Sequence, residues 1–219
     1  MLDIEIVTPP EQDGTDILSV ADLKKRLRIT HSRLDDVLED AIIEAADKLH
    51  GPDGELRRTL FPTTYRRYLR KFPDLKDSRD KVVSVGRGII QLPYPNLISV
   101  DAITIEDGSS PDNVVDDSLY TVRTGTLVGE IELNVGSSWP EYDEGPRAIS
   151  ILYRAGYVEY PPKLKRMVAI LAGHYFLNSS ATINEPRVLM LNRQTEFGMT
   201  DLRRALQVPL SHDDWNEDA

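Results

Sequence analysis

The chain has 219 residues, no cysteine, four histidines and a formal net charge of −10. A length of this order buries one good core, with room for a small second one, and the lack of cysteine excludes disulfides and thiolate metal sites. The acidic balance argues against general binding to the DNA backbone, because that affinity comes from Lys and Arg displacing counterions. No stretch reaches the roughly 18 apolar residues of a membrane span, and Met1-Leu-Asp-Ile-Glu5 lacks a basic, apolar leader, so a soluble, non-exported protein is expected.

Charge is unevenly spread. Residues 1 to 23 hold six acids and no Lys or Arg, residues 56 to 81 hold nine bases against three acids, and residues 101 to 147 hold eleven acids against two bases. Stripes of opposite sign can register a molecule against copies of itself or a fixed partner; purely solvated faces are the alternative.

An acidic, extended leader containing Pro9-Pro10 opens the chain. Ser19 is placed to cap a first helix reaching about Arg28, with Asp22 at its third position. After Ile29-Thr-His-Ser32, a second helix is predicted, with Leu34, Val37, Leu38, Ala41, Ile42, Ala45 and Leu49 on one stripe and Ser32 as its cap. Gly51-Pro-Asp-Gly54 ends it.

From Leu56 the period becomes two. Thr63 to Phe72 reads as a basic strand carrying Arg66, Arg67, Arg70 and Lys71 among Tyr65, Tyr68 and Leu69, and strand alternation sends Arg66 and Arg67 to opposite faces. Further strands are predicted at Val82–Val85, Ile89–Leu92, Ile98–Ile105, Tyr120–Val122, Ile131–Leu133 and Ile149–Tyr153, separated by acidic, Gly- and Pro-containing loops. Pro161-Pro162 then starts a third helix ending at Leu177, with Leu164, Met167, Val168, Leu171, His174 and Tyr175 at helical spacing and Ile170 and Leu177 apolar off that stripe. A polar link, a short helix from Asp201 to Leu206 capped by Thr200, and an acidic tail containing Trp215 complete the chain.

The expected fold is α+β: a helical frame of three main helices and a short C-terminal one (19–55 and 162–206), with an inserted antiparallel β sandwich or barrel (56–155) and a tail (207–219), together one domain over 1–219. No catalytic arrangement is found. His31 lies in a turn, His50 at a helix end where a positive charge suits the dipole, His174 on an apolar face and His212 in the tail. Gly86-Arg-Gly88 lacks the remainder of a nucleotide-binding loop, and neither Asp112/Asp116/Asp117 nor Glu141/Asp143/Glu144 follows calcium-loop spacing. The basic strand around Arg66 is a small imitation of a nucleic-acid platform, so a nucleic-acid-associated module acting through Arg66, Arg67, Arg70 and Lys71 is the alternative reading. A hydrolase using paired acids is a distant third, since no pair stands out.

The order of segments carries a resemblance. Pro9-Pro10, Ser19-Val-Ala-Asp-Leu23, Leu27-Arg28, Ile42-Ile-Glu-Ala-Ala46, Gln91-Leu-Pro-Tyr-Pro95, Ser99-Val100, Tyr120-Thr-Val122, Trp139-Pro140, Ile151-Leu-Tyr-Arg-Ala-Gly-Tyr157, Pro162 and Gly198-Met-Thr-Asp-Leu202 together resemble the head-to-tail adaptor (connector) proteins of long-tailed bacteriophages, over roughly residues 7 to 206. The 178–195 link and the Gly51–Gly54 turn depart from that pattern. The resemblance implies a structural, non-enzymatic virion protein without cofactor. It would form a ring of twelve copies at the neck, under the portal protein, extend the channel through which genomic DNA passes, and offer a platform to a stopper or tail-completion protein. Assembly in the host cytoplasm, away from membranes, is implied as well. Under this reading Arg66, Arg67, Arg70 and Lys71 are candidates for the subunit interface, and Arg203, Arg204, Leu210 and Trp215 for docking on the portal or another partner.

Overall fold

A computed structural model describes residues 3–73, 89–106, 113–124, 128–177 and 199–207. The predicted strand at Val82–Val85, the Gly86–Gly88 turn, Asp112, Leu210, His212 and Trp215 lie outside these residues. The chain divides into two compact units, one formed by residues 1–10, 62–157 and 209–219, the other by residues 11–61 and 158–208.

The second unit is helical. α1 (Gly14–Ile17) is capped by Asp13, which exchanges side-chain and backbone hydrogen bonds with Asp16. α2 (Val20–Leu27) begins at Ser19, whose Oγ accepts from the Asp22 N–H at 3.1 Å, as the sequence predicts. It ends at Arg28 in the left-handed region (φ 60°), a C-terminal conformation more often given to glycine. α3 (Asp35–Leu49) starts two residues later than predicted: Leu34, not Ser32, takes the cap position and has no side-chain cap, while Ser32 contributes only its carbonyl to the Asp35 N–H. Its buried stripe is Leu38, Ala41, Ile42, Ala45, Ala46 and Leu49, whereas Val37 stays exposed. α4 (Pro162–Leu177) lies along α3 and buries Leu164, Met167, Val168, Ala169, Ala172 and Gly173. Ile170, Leu171, His174 and Tyr175 are half-buried, so burial extends well beyond one narrow stripe. Gly14 lets α1 approach α3 closely; a Cβ there would stand 2.6 Å from the Ile42 carbonyl oxygen. Residues 199–206 are helical, so Thr200 lies within that helix rather than capping it.

The first unit is built from two antiparallel sheets. One has the order β1-β2-β8-β4-β5, formed by β1 (Ile4–Thr8), β2 (Thr63–Leu69), β8 (Ile149–Ala155), β4 (Leu97–Ile105) and β5 (Asn113–Val114). The other has the order β3-β7-β6, with β3 (Ile89–Leu92), β7 (Gly129–Leu133) and β6 (Tyr120–Arg123). The leader read as merely extended is therefore a strand, and it belongs to the β unit. Alternate residues of β2 (Thr63, Tyr65, Arg67 and Leu69) face one core with Ile90, Leu92, Ile103, Ile131, Ile151 and Tyr153. Beyond β2, Phe72 stacks on Trp139 with ring centroids 4.2 Å apart, and its N–H donates to the Tyr142 hydroxyl at 2.7 Å. These contacts pin the 139–142 loop over the end of the strand.

Candidate assembly surface

The predicted basic strand carries its charges to two different environments. Arg67, 2 % exposed, points into the β-unit core, where its guanidinium donates to the Gln91 carbonyl of β3. Burial pushes its pKa down, and the nearby Tyr153 and Tyr94 partly offset this; an arginine starts so high that it stays cationic. Around it, Tyr65 stacks with Tyr153 at 5.6 Å and meets Tyr94 at 5.4 Å, while the Tyr153 hydroxyl donates to the Pro93 carbonyl at 3.1 Å. Burial also raises the Tyr153 hydroxyl well above its ordinary pKa, so it remains protonated and a donor. Arg67 is thus a link between the two sheets. The expectation of Arg67 as a charge offered to a neighbour is corrected here, because the pleat turns it inward.

Arg66 faces the other way, onto a polar surface where the acidic leader meets the basic strand. β1 pairs antiparallel with β2, placing Glu5 opposite Arg66. The Tyr68 hydroxyl donates to Glu5 Oε2 at 3.1 Å. A hydrogen bond with Tyr68, working against a smaller effect of burial, holds the Arg66 guanidinium further into its charged range. Arg147 closes the group: its Nε and Nη2 donate to the two carboxylate oxygens of Asp3 at 2.6 and 2.9 Å, and its Cζ lies 4.5 Å from the centroid of the Tyr68 ring. The Asp3 contact is the main cause that raises Arg147 above its ordinary pKa. Arg147 reaches this position from a left-handed backbone (φ 60°) in the Gly145–Ala148 turn.

Asp3, Glu5 and Arg147 were not singled out from the sequence. The signal was the pairing of an acid-only leader with a base-rich run, which is satisfied first within the chain. Arg70 is exposed and Lys71 half-buried, just past the end of β2.

In the helical unit, Arg203 is tied down by Glu55, whereas Arg204 is exposed. His50 does not act as a helix-end cation: its Nδ1 accepts from the Leu60 N–H at 3.1 Å, its ring lies 5.0 Å from that of Phe61, and burial lowers its pKa from 6.5, favouring the neutral form. Among the described residues, no group of three His, Cys, Asp or Glu side chains is placed to hold a metal ion, and no helix is long and apolar enough to cross a membrane.

No family model matches the chain, and no curated protein matches it in sequence. Its fold does match solved structures. A chain in the virion of a native gene transfer agent (GTA) particle superimposes with a TM-score of 0.63 at 19% identity, over 94% of this chain and 96% of that one. A chain in the neck of an empty GTA particle, computed with C6 symmetry, gives 0.63 at 19% identity over 94% and 95%. A chain in the neck of a native GTA particle, computed with C12 symmetry, gives 0.57 at 20% identity over 95% and 96%. The chain therefore shares a fold, over nearly its whole length, with components of GTA particles and their necks.

Proposed function

We propose that the chain is a head–tail adaptor: a structural subunit that forms a ring in the neck of a phage-like particle, beneath the portal, and receives a stopper or tail component. The observation that carries this reading is the fold likeness over 94% of this chain and 96% of a GTA virion chain, with a comparable likeness to a chain in a neck computed with C12 symmetry. Such coverage takes in residues of both units, rather than a common β module alone. The segment order in the sequence independently suggests the same class.

The charge distribution suits the role. A passage for DNA gains from walls poor in free Lys and Arg, since each phosphate contact retards transit. In this chain Arg67 is buried, Arg147 is bound to Asp3, and Arg203 is bound to Glu55. The burial of Arg67 also weakens the nucleic-acid reading of the basic strand, leaving Arg66, Arg70 and Lys71 as its exposed or half-exposed members. The exposed Arg204 is the docking candidate this reading keeps in the helical unit.

Deleting the gene from a particle-producing host tests the reading. Filled heads and free tails that fail to join are expected, and restoration by the wild-type chain in trans completes the result. Intact, joined particles without this chain overturn it.

A further inference from the structure

Among the described residues, the five-stranded sheet has two unlike open edges, β1 at one end and the β4–β5 side at the other. On β1, the Tyr68 N–H donates to the Asp3 carbonyl at 2.9 Å, which fixes the antiparallel alternation. Asp3 and Glu5 spend their backbone groups on β2, while Ile4 and Ile6 turn theirs outward, away from the sheet. The side chain of Ile6 is equally incomplete. Its register partner, Tyr65, is 1 % exposed on the core face, yet Ile6 on that same face is 54 % exposed because, among the described residues, no strand follows it. The apolar layer stops one strand short of being covered.

At the opposite edge, β5 pairs only with Thr104 and Ile105 of β4. Among the described residues, no strand lies beyond β4 from Leu97 to Ala102, where register shifts on either side of Ser99-Val100 set six residues of β4 against four of β8. There Val100, opposite the buried Tyr153, belongs to the core face and is half-buried. The strands alternate in direction across the sheet, so β1 and β4 run oppositely. Copies related by the small rotation of a many-membered ring keep their strand directions nearly unchanged. A neighbour's β1 laid beside β4 is then antiparallel to it, the geometry needed for ladder bonds.

We propose that neighbouring copies join by sheet augmentation, β1 of one copy adding to the open Leu97–Ala102 side of β4 in the next, with Ile6 packing against Val100. The occupant is a second copy because a cyclic ring requires two different, mutually fitting surfaces on every subunit, and one sheet presents both here. The proposal rests on the ring reading above and adds which surfaces meet.

A chain without cysteine makes the contact directly testable. Particles are assembled with subunits carrying both Ile6→Cys and Val100→Cys, oxidised, denatured and run without reductant. A ladder of multiples of the subunit, collapsing to monomer with reductant and absent from either single variant, is the expected result. Neck rings visible by cryo-electron microscopy that yield only monomer overturn the edge contact and leave the ring reading intact. Wild-type particles with no ring of this chain overturn both. Should the double variant fail to assemble, Ile6→Lys decides: loss of rings, with the thermal melt of the isolated subunit unchanged, supports the contact, and normal rings overturn it.

Discussion

Arg66 and Arg67 are adjacent on β2 and have opposite fates. Arg67 is enclosed by tyrosines and joins two sheets; Arg66 lies on a wet surface among Glu5, Tyr68 and the Asp3–Arg147 pair. A run of basic residues is thus a poor measure of surface charge on a strand, because the pleat removes every second member. The buried arginine is held by geometry, and its removal leaves an unpaired carbonyl and a void. The exposed one is held by pairs that water and salt can replace.

The largest expected effect breaks this comparison at its inner member. Arg67→Ala should destabilise the β unit by about 3–5 kcal/mol, through the cavity and the orphaned Gln91 carbonyl together, measured by urea denaturation followed by tyrosine and tryptophan fluorescence. An unchanged midpoint would remove Arg67 from the core. Next comes a close contact in the other unit: Gly14→Ala should cost about 2–3 kcal/mol, since its Cβ would meet the Ile42 carbonyl at 2.6 Å and backbone must move. Tyr153→Phe keeps the ring and loses only the hydroxyl bond to Pro93, so about 1 kcal/mol is expected. A loss as large as that of Arg67→Ala would mean the hydroxyl does more than this one bond.

His50 sharpens the contrast between buried and exposed titratable groups. Its folded pKa is depressed below the ordinary 6.5, so its contribution to stability is complete above that value and is lost as pH falls through 6.5 toward the folded value. Thermal melts between pH 7.5 and 5 should show the decline, and His50→Asn should flatten it. At the outer face, Arg147→Ala should shift the melt least, and the shift should vanish in 1 M salt, because Arg147 and Asp3 are both largely exposed.

Much of the frame was readable because its signals are local. Ser19 caps α2 through its own hydroxyl, Gly51–Gly54 ends α3, and β3 and α4 fall almost where alternation and the proline pair place them. What escaped depends on pairing. In β1 the acids Asp3 and Glu5 alternate with Ile4 and Ile6, but the run is short and stands beside Pro9-Pro10, so it reads as an extended leader; it is a strand because β2 offers it a ladder. Arg147 escaped for the same reason, since its partner Asp3 lies 144 residues away in the sequence and only the folded chain brings them together. The inward turn of one arginine of the pair was legible, but not which one, because that depends on register.

The two units are interleaved along the chain: α3 emerges from the ribosome before the central β segment, and α4 only after it. At bacterial or eukaryotic elongation rates, on the order of 5–20 residues per second, the apolar stripe of α3 waits roughly 10 s for the helix that covers it. During that interval, while the 62–157 segment is being made, Leu38, Ile42 and Leu49 are exposed to whatever else is in reach. The stripe of α3 thus stays without its α4 cover until the whole of the 62–157 segment has been made.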